Sequence, residues 1–284
     1  MASFIDRLHP LVLNVGLAVH NADWNWKNVN SPFHRLYYIT EGTAQVVMPQ
    51  TTLDLKPDHL YFIPAFTTHG YVCDSRFVHY YIHIYEEYES NILDQWDFPF
   101  ELEAGGIDRM LFARLAQINP HMKLLSSNPD TYDNNPTLEQ ELRKNRQRAL
   151  CDKVESRGIV YQLLSRLFKF ARPKMVTKDK RIVQAVDHIQ RHIFETIELE
   201  TMVRRSCLSK DHFIRLFRKE TGLTPQKYII RKKVERAQLM LVTQEATVKN
   251  VALALGYDDV SYFCRLFKKV TGCQPHNYRR SNVV

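Results

Sequence analysis

The chain repeats itself. Residues 213–228, FIRLFRKETGLTPQKY, align with residues 263–278, FCRLFKKVTGCQPHNY, at an offset of 50, and similarity at a fixed period means one supersecondary unit used more than once. Identities fall at Phe213/Phe263, Arg215/Arg265, Leu216/Leu266, Phe217/Phe267, Lys219/Lys269, Thr221/Thr271, Gly222/Gly272, Pro225/Pro275 and Tyr228/Tyr278. Phe, Leu and Phe at i, i+3 and i+4 form the buried stripe of a helix. Gly222 and Gly272 permit the positive φ that ends it, and Pro225 and Pro275 open the next. A short helix precedes each copy, 199–206 (LETMVRRS) and 248–255 (VKNVALAL), across the tight turns CLS and GYDD. Two helices joined by such a turn, the second with an exposed basic face, form a helix-turn-helix.

Outside the stripe, the first copy leaves Lys210, Asp211, Ile214, Arg215, Arg218 and Lys219, and the second leaves Ser261, Cys264, Arg265, Lys268 and Lys269. An Ile and a Cys on a basic face suit thymine methyls or a sugar edge better than bulk water. Charge divides the same way. Residues 173–284 hold 22 Lys/Arg against 11 Asp/Glu, a net of +11, whereas residues 1–172 are at −3. Such asymmetry points to a polyanion partner for the C-terminal part alone. Between the copies, a helix over 225–243 would be about 28 Å long, close to the ~34 Å between successive major-groove faces. One chain could then set both second helices into neighbouring grooves. The competing interpretation is a helical bundle that binds protein as an adaptor.

The rest of the C-terminal stretch also has helical spacing: 179–194, with Ile182, Val183, Val186, Ile189 and Ile193, then 209–221, 260–271 and a short helix near 275–280. Ser209, Thr247 and Asp258 or Asp259 are the expected caps. RPKMVTK (172–178) has the composition of a linker. Upstream, LYYITEGTAQVVM, YFIPAF and FVHYYIHIY lie within 33–85 as Tyr-, Ile-, Val- and Phe-rich runs separated by turn residues, which predicts a small antiparallel barrel or sandwich. From Tyr88 the pattern becomes helical: 107–118 is amphipathic, 126–137 is a loop, and 138–171 is one long helical stretch with Val160, Leu163, Leu164, Leu167 and Phe168 on a single face. The part 152–171 is expected to pack on the barrel or against its twin in a dimer. The dimer is favoured, because two copies double the DNA contacts.

Five cysteines (Cys73, Cys151, Cys207, Cys264, Cys273) without CxxC spacing argue against a disulfide framework or zinc finger and fit a reducing cytoplasm. Four of them are expected to be packing residues. The opening MASFIDRLHPLVLNVGLAV is interrupted by Asn14 and lacks a basic leader, a poor signal peptide. No run approaches the roughly 18 apolar residues of a membrane helix, so a soluble cytoplasmic protein is expected.

The segment ALALGYDDVSYFCRLFKKVTGCQPHNYRR closely resembles the C-terminal signature of AraC/XylS-family transcription regulators, typically IA..VGF.D.SYF.R.FKK..G.TP..YR. LSKDHFIRLFRKETGLTPQKYI is similar to that family's first helix-turn-helix. The resemblance implies a bacterial all-α, seven-helix domain binding double-stranded DNA, with the second helix of each unit as the recognition helix. Carried over by position, it implies base-reading by Asp211, Ile214 and Arg215 in the first unit and by Val260, Ser261, Cys264 and Arg265 in the second. It implies phosphate contacts from Arg218, Lys219, Lys268 and Lys269. It also implies activation as the usual mode and RNA polymerase as a partner. Gln274 departs from the usual small hydroxyl residue before Pro275, which should only weaken a cap.

Such regulators often carry an N-terminal cupin-like barrel that senses a small molecule, frequently a sugar. Tyr38-Ile39-Thr40-Glu41-Gly42, Leu55-Lys56-Pro57-Asp58, Ile63-Pro64 and Thr68-His69 resemble that arrangement. The implied organisation is a cupin-like effector-binding and dimerisation domain over 1–171, a linker over 172–178 and a DNA-binding domain over 179–284. The aromatic density of 24–38 and 61–85 makes Trp24, Trp26, Tyr37, Tyr61, His69, Tyr81 and His83 the candidate pocket residues, with flat apolar faces and polar tips that suit a sugar. An alternative is a DNA-associated metal-cupin enzyme, with His69, His79 and His83 clustered on zinc. But His34 lacks the HxH partner of such enzymes, and histidines scattered along Tyr-rich strands are more often hydrogen-bonded wall residues. No metal, cofactor or catalytic residue is therefore expected.

Overall fold

The computed structural model describes residue 5 and residues 8–49, 51–86, 92–133, 135–174, 179–243 and 246–280. Two compact units divide the chain, Met1–Lys174 and Met175–Val284.

In the first unit, strands β1 (Pro10–Asn21), β3 (His34–Gly42), β6 (His59–Ile63), β8 (Arg76–Glu86) and β10 (Glu101–Glu103) form an antiparallel sheet in the order β1-β8-β3-β6-β10. A second sheet holds β2 (Trp26–Val29), β4 (Ala44–Met48), β5 (Thr51–Leu55) and β7 (His69–Val72), ordered β2-β7-β4-β5. The two-residue strand β9 (Trp96–Asp97) pairs with β11 (Arg172–Pro173).

Alternation explains why the central strands look like unbroken apolar runs. Leu36 and Tyr38 of β3 face one core, and Tyr37 and Ile39 face the other; Leu60 and Phe62 of β6 likewise oppose Tyr61 and Ile63. Both faces are covered, so neither is free to be polar. Against the first face pack helices α1 (Gly106–Ile118) and α4 (Leu150–Phe168), through Phe112, Leu115, Val160, Leu163 and Leu167. At roughly 1.5–3 kcal/mol per fully buried large apolar side chain, this contact is a main source of the unit's stability. The other face meets the second sheet over Trp24, Val46, Leu55, Tyr71 and Phe77.

Several expectations need correction. The barrel is not closed: among the described residues β1 and β10 are the edges of one sheet, β2 and β5 those of the other. Closure needs edge strands that hydrogen-bond along their length, and β1 has 12 residues where β2 has 4. Pro10–Asn21, expected as an interrupted apolar stretch, is the longest strand among the described residues, because β8 pairs along it. The loop expected over 126–137 contains a short helix α2 (Pro129–Tyr132), capped by Asn128 Oδ1 accepting from Asp130 N at 3.0 Å. The single helix over 138–171 is two, α3 (Asn135–Gln147) and α4, broken at the extended Ala149. Neither Gly nor Pro marks that break. It is fixed by tertiary bonds: the Asn145 side chain donates to Val12 O, and Arg148 donates to Ser156 Oγ at 2.7 Å. Of the two alternatives for 152–171, packing on the sheet is observed, through Val160, Leu163, Leu164 and Leu167 of α4. Arg172 and Pro173, placed in the linker, belong to β11, while 175–178 lie outside the described residues.

The second unit contains helices α5 (Lys180–Arg191), α6 (Leu199–Ser206), α7 (Lys210–Thr221), α8 (Pro225–Thr243), α9 (Val248–Ala254), α10 (Val260–Thr271) and α11 (Pro275–Arg280). Asp179, Ser209, Thr247 and Asp259 cap α5, α7, α9 and α10, each side chain accepting a backbone N–H of the first turn. Ile182, Val186, Ile189, Met202, Phe213 and Phe217 make one core. Among the described residues no helix is long and apolar enough to cross a membrane.

Candidate nucleic-acid interface and ligand cavity

Each repeated identity has a local structural cause. Phe213, Phe217, Phe263 and Phe267 are fully buried. The ring pairs Phe213–Phe217 and Phe263–Phe267 have centroids 5.7 and 5.9 Å apart. Phe217–Tyr228 and Phe267–Tyr278 repeat one edge-on contact at 5.6 and 5.4 Å, with interplanar angles of 78° and 75°. Gly222 and Gly272 end α7 and α10 at φ 77° and 84°. Thr221 and Thr271 clamp those ends: each hydroxyl donates to the carbonyl of Phe217 or Phe267, at 2.8 and 2.9 Å, and accepts the N–H of Leu223 or Cys273. In the turns before α7 and α10 one residue each is left-handed, Cys207 at φ 53° and Gly256 at φ 71°.

With the stripes buried, the opposite faces are exposed as a matched pair. Asp211, Arg215, Arg218 and Lys219 are exposed on α7, as are Ser261, Arg265, Lys268 and Lys269 on α10; Ile214, Val260 and Cys264 are half-buried beside them. Among the described residues, Arg215, Arg218, Lys219, Lys268 and Lys269 form no ion pair, so their charge is available to a polyanion. Arg265 is loosely held, its guanidinium 4.0 Å from Asp259 Oδ2 and 5.9 Å from the Tyr262 ring centroid. Lys210 is tied to Glu200 at 2.8 Å, an exposed pair that raises its proton affinity. Helix α8 has 19 residues, which gives about 28 Å between its ends at 1.5 Å per residue.

Sequence reasoning missed two kinds of residue here. His212 and Tyr262 occupy the same repeat position and are both exposed, in the first turns of α7 and α10; the offset alignment pairs them, but an aromatic there is easily taken for core. Lys233 is the second, a residue the sequence gives no reason to single out. Its buried ammonium donates at 2.6 Å to both Glu195 O and Leu255 O, clipping the turn before α6 to the end of α9, and burial pushes it down to about 8. The cysteine expectation also fails: only Cys73 is buried, Cys151 and Cys207 are exposed, and Cys264 and Cys273 are intermediate.

The first unit holds a cavity of about 290 Å3 whose lining includes His20, Trp24, Tyr37, His79, Tyr81 and His83. Trp24, Tyr37, Tyr81 and His83 of the expected set are thus brought together. Trp26, Tyr61 and His69 are not among its lining residues. Tyr61 turns its hydroxyl to Asp54 O and Glu101, 2.8 and 3.0 Å away, and His69 Nε2 is 2.7 Å from the Tyr71 hydroxyl. The sequence reading passed over Lys123–Ser127 and Tyr132, which form one wall of the cavity. That wall is anchored twice. Leu124 N donates to Tyr81 OH at 2.7 Å, and Asp133 receives both Ser31 Oγ and, at 3.0 Å, the buried Arg35 guanidinium. Among the described residues no group of three His, Cys, Asp or Glu could hold a metal ion; His83 Nδ1 lies 3.2 Å from Asn14 Oδ1.

A helix-turn-helix domain family matches residues 202–281. The chain is similar to the MmsAB operon regulatory protein of Pseudomonas aeruginosa, 38% identical over 93 residues, 33% of this chain and 30% of that protein. It is similar to the arabinose operon regulatory protein of Escherichia coli, 29% identical over 102 residues, 36% of this chain and 35% of that protein. The chain spans about a third of the length of these curated relatives. Among solved structures it is similar to the DNA-binding domain of AdpA, a global transcriptional factor in complex with a target DNA, at 28% identity and a TM-score of 0.35, over 36% of this chain and 93% of that one.

Proposed function

Its C-terminal unit being an AraC-type helix-turn-helix domain, we propose that this chain is a regulator of transcription, and not an enzyme, that reads duplex DNA with α7 and α10. The observation that carries this is the duplicated exposed face. Arg215 with Arg265, Arg218 with Lys268 and Lys219 with Lys269 recur at one spacing on helices whose other side is locked by buried phenylalanines. Asp211, Ile214, Arg215, Val260, Ser261, Cys264 and Arg265 meet base edges, while Arg218, Lys219, Lys268 and Lys269 meet phosphates. A dimer in the bacterial cytoplasm, acting as an activator beside RNA polymerase, completes the reading. The cavity of the first unit receives a small effector that binds two conformations unequally, since only a differential affinity can shift an equilibrium.

The test is selection of a preferred site from a random duplex library by the full-length chain, followed by binding against salt. A specific site preferred by at least about 10³ over random duplex, with log K falling steeply against log salt, supports the reading. Equal binding to every duplex overturns it.

A further inference from the structure

The cavity contains a side chain that the fold leaves unsatisfied. His79 lies on β8 within a cage of rings, with the centroids of Trp24, Tyr37, Phe77 and His20 at 4.9, 5.0, 5.0 and 5.4 Å. It is 2% exposed, and its Nδ1 is buried without a hydrogen-bond partner. A buried polar atom left unpaired costs roughly 1–3 kcal/mol, and in a native fold such an atom calls for a partner arriving from outside the chain. His79 is itself part of the cavity lining.

The wall also restricts the charge of what enters. Asp23 and Lys123, the formally charged lining residues, are both exposed, which places them at the rim. Deeper in, burial pushes His20, His79 and His83 down and Tyr37, Tyr81 and Tyr132 up, so each is neutral near pH 7. Arg35, behind Tyr132, is already matched by Asp133. An ion buried among such groups would lose its water, and the charges the lining offers it are the exposed, solvent-screened Asp23, 3.3 Å from His20 Nδ1, and Lys123 at the rim. An uncharged ring with a hydroxyl or amide would keep a hydrogen bond and lay its faces on the aromatic walls.

We propose that the cavity binds an uncharged ring-shaped molecule whose polar group hydrogen-bonds to His79, enclosed by the wall formed by Lys123–Ser127 and Tyr132. This deepens, and rests on, the effector-sensing part of the reading above. It is tested on the full-length chain by thermal unfolding followed through tryptophan fluorescence, since Trp24, Trp26 and Trp96 all lie in the first unit. The probes are phenol and methyl glucoside (uncharged), benzoate (anionic) and benzylammonium (cationic). At least one uncharged probe should raise the transition temperature, with benzoate and benzylammonium at least about tenfold weaker. His79→Phe keeps a flat aromatic ring, one ring atom larger than the imidazole, and removes both nitrogens. It should abolish the ligand-induced shift while melting no lower than the parent, a combination that a purely structural role would not give. Benzoate or benzylammonium binding as tightly as the uncharged probes, or unchanged probe binding by His79→Phe, overturns the proposal and leaves sensing by this cavity standing. A cavity that takes none of the four overturns the proposal too, while duplex selection, measured separately, still decides the DNA-binding reading.

Discussion

Acidification should unfold the first unit well before the second. Five of its histidines, His20, His34, His69, His79 and His83, are buried, and desolvation lowers them all: His34 to about 4, His69 to about 3, His79 and His83 well below their ordinary value, and His20 in the same direction against the opposing pull of Asp23. Unfolding returns each to water, near 6.5. Between the lowered values and 6.5 the unfolded chain binds protons that the folded chain refuses, so stability is greatest above 6.5 and is lost as pH falls below it. From pH 7 to pH 5 the loss is about 1.9 kcal/mol for each histidine that stays neutral when folded, or ~8 kcal/mol for His34, His69, His79 and His83 together. That rivals the whole stability of a typical domain, ~5–15 kcal/mol. Asp133, whose carboxyl burial pushes up, works in the opposite sense and can offset at most one proton. The assay is urea unfolding at stepped pH, read by tryptophan fluorescence, because every tryptophan is in this unit. The slope of stability against pH should approach about 5 kcal/mol per unit near pH 5.5. His79→Phe should reduce it by about one proton's worth, ~1.4 kcal/mol per unit. Equal stability at pH 5 and pH 7 would refute the argument, since the imidazoles could not then be neutral in the fold.

Other expected outcomes follow from the same geometry. Arg265→Ala breaks only a loose exposed pair, so folding should be unaffected, while binding falls by ~1–3 kcal/mol at one or two base positions, measured by competition with base-substituted duplexes. Lys268→Ala should weaken all duplexes alike and flatten the salt slope by about one unit. Asp133→Asn strips the counter-charge from the buried Arg35 and should destabilise the first unit by ~3–5 kcal/mol in urea titrations. Gly222→Ala meets nothing within 4 Å but keeps φ at +77°, so its cost should be that of the left-handed backbone alone, ~1–2 kcal/mol in the second unit's unfolding.

How much of this was legible depended on the range of the forces involved. In the second unit the signals are local: Ser209, Thr247 and Asp259 cap helices within three residues, Gly222 and Gly272 end them, and Phe213 and Phe217 are one turn apart. Period and punctuation therefore gave helix positions close to those observed and exposed the faces of α7 and α10 directly. Lys233 escaped because its two acceptors, Glu195 O and Leu255 O, lie 38 and 22 residues away.

The first unit is decided by partners distant in sequence. Alternation showed that strands occur within 33–85, but not which face Tyr61, His69 or Trp26 would take, because both faces of the central strands are buried and equally apolar. Pro10–Asn21 became a strand only by pairing with β8 some 60 residues on. The helix break at Ala149 and the cavity wall at 123–133 were set by hydrogen bonds and an ion pair made across the fold, from Asn145 to Val12 O, from Leu124 N to Tyr81 OH and between Asp133 and Arg35. The sequence by itself thus determined a duplicated basic module, whose helices, caps and exposed faces are written in residues a few positions apart. Only the tertiary structure decided the open pair of sheets, the cavity and the orphaned His79, because long-range strand pairing and burial select among faces that a single strand's pattern leaves equivalent.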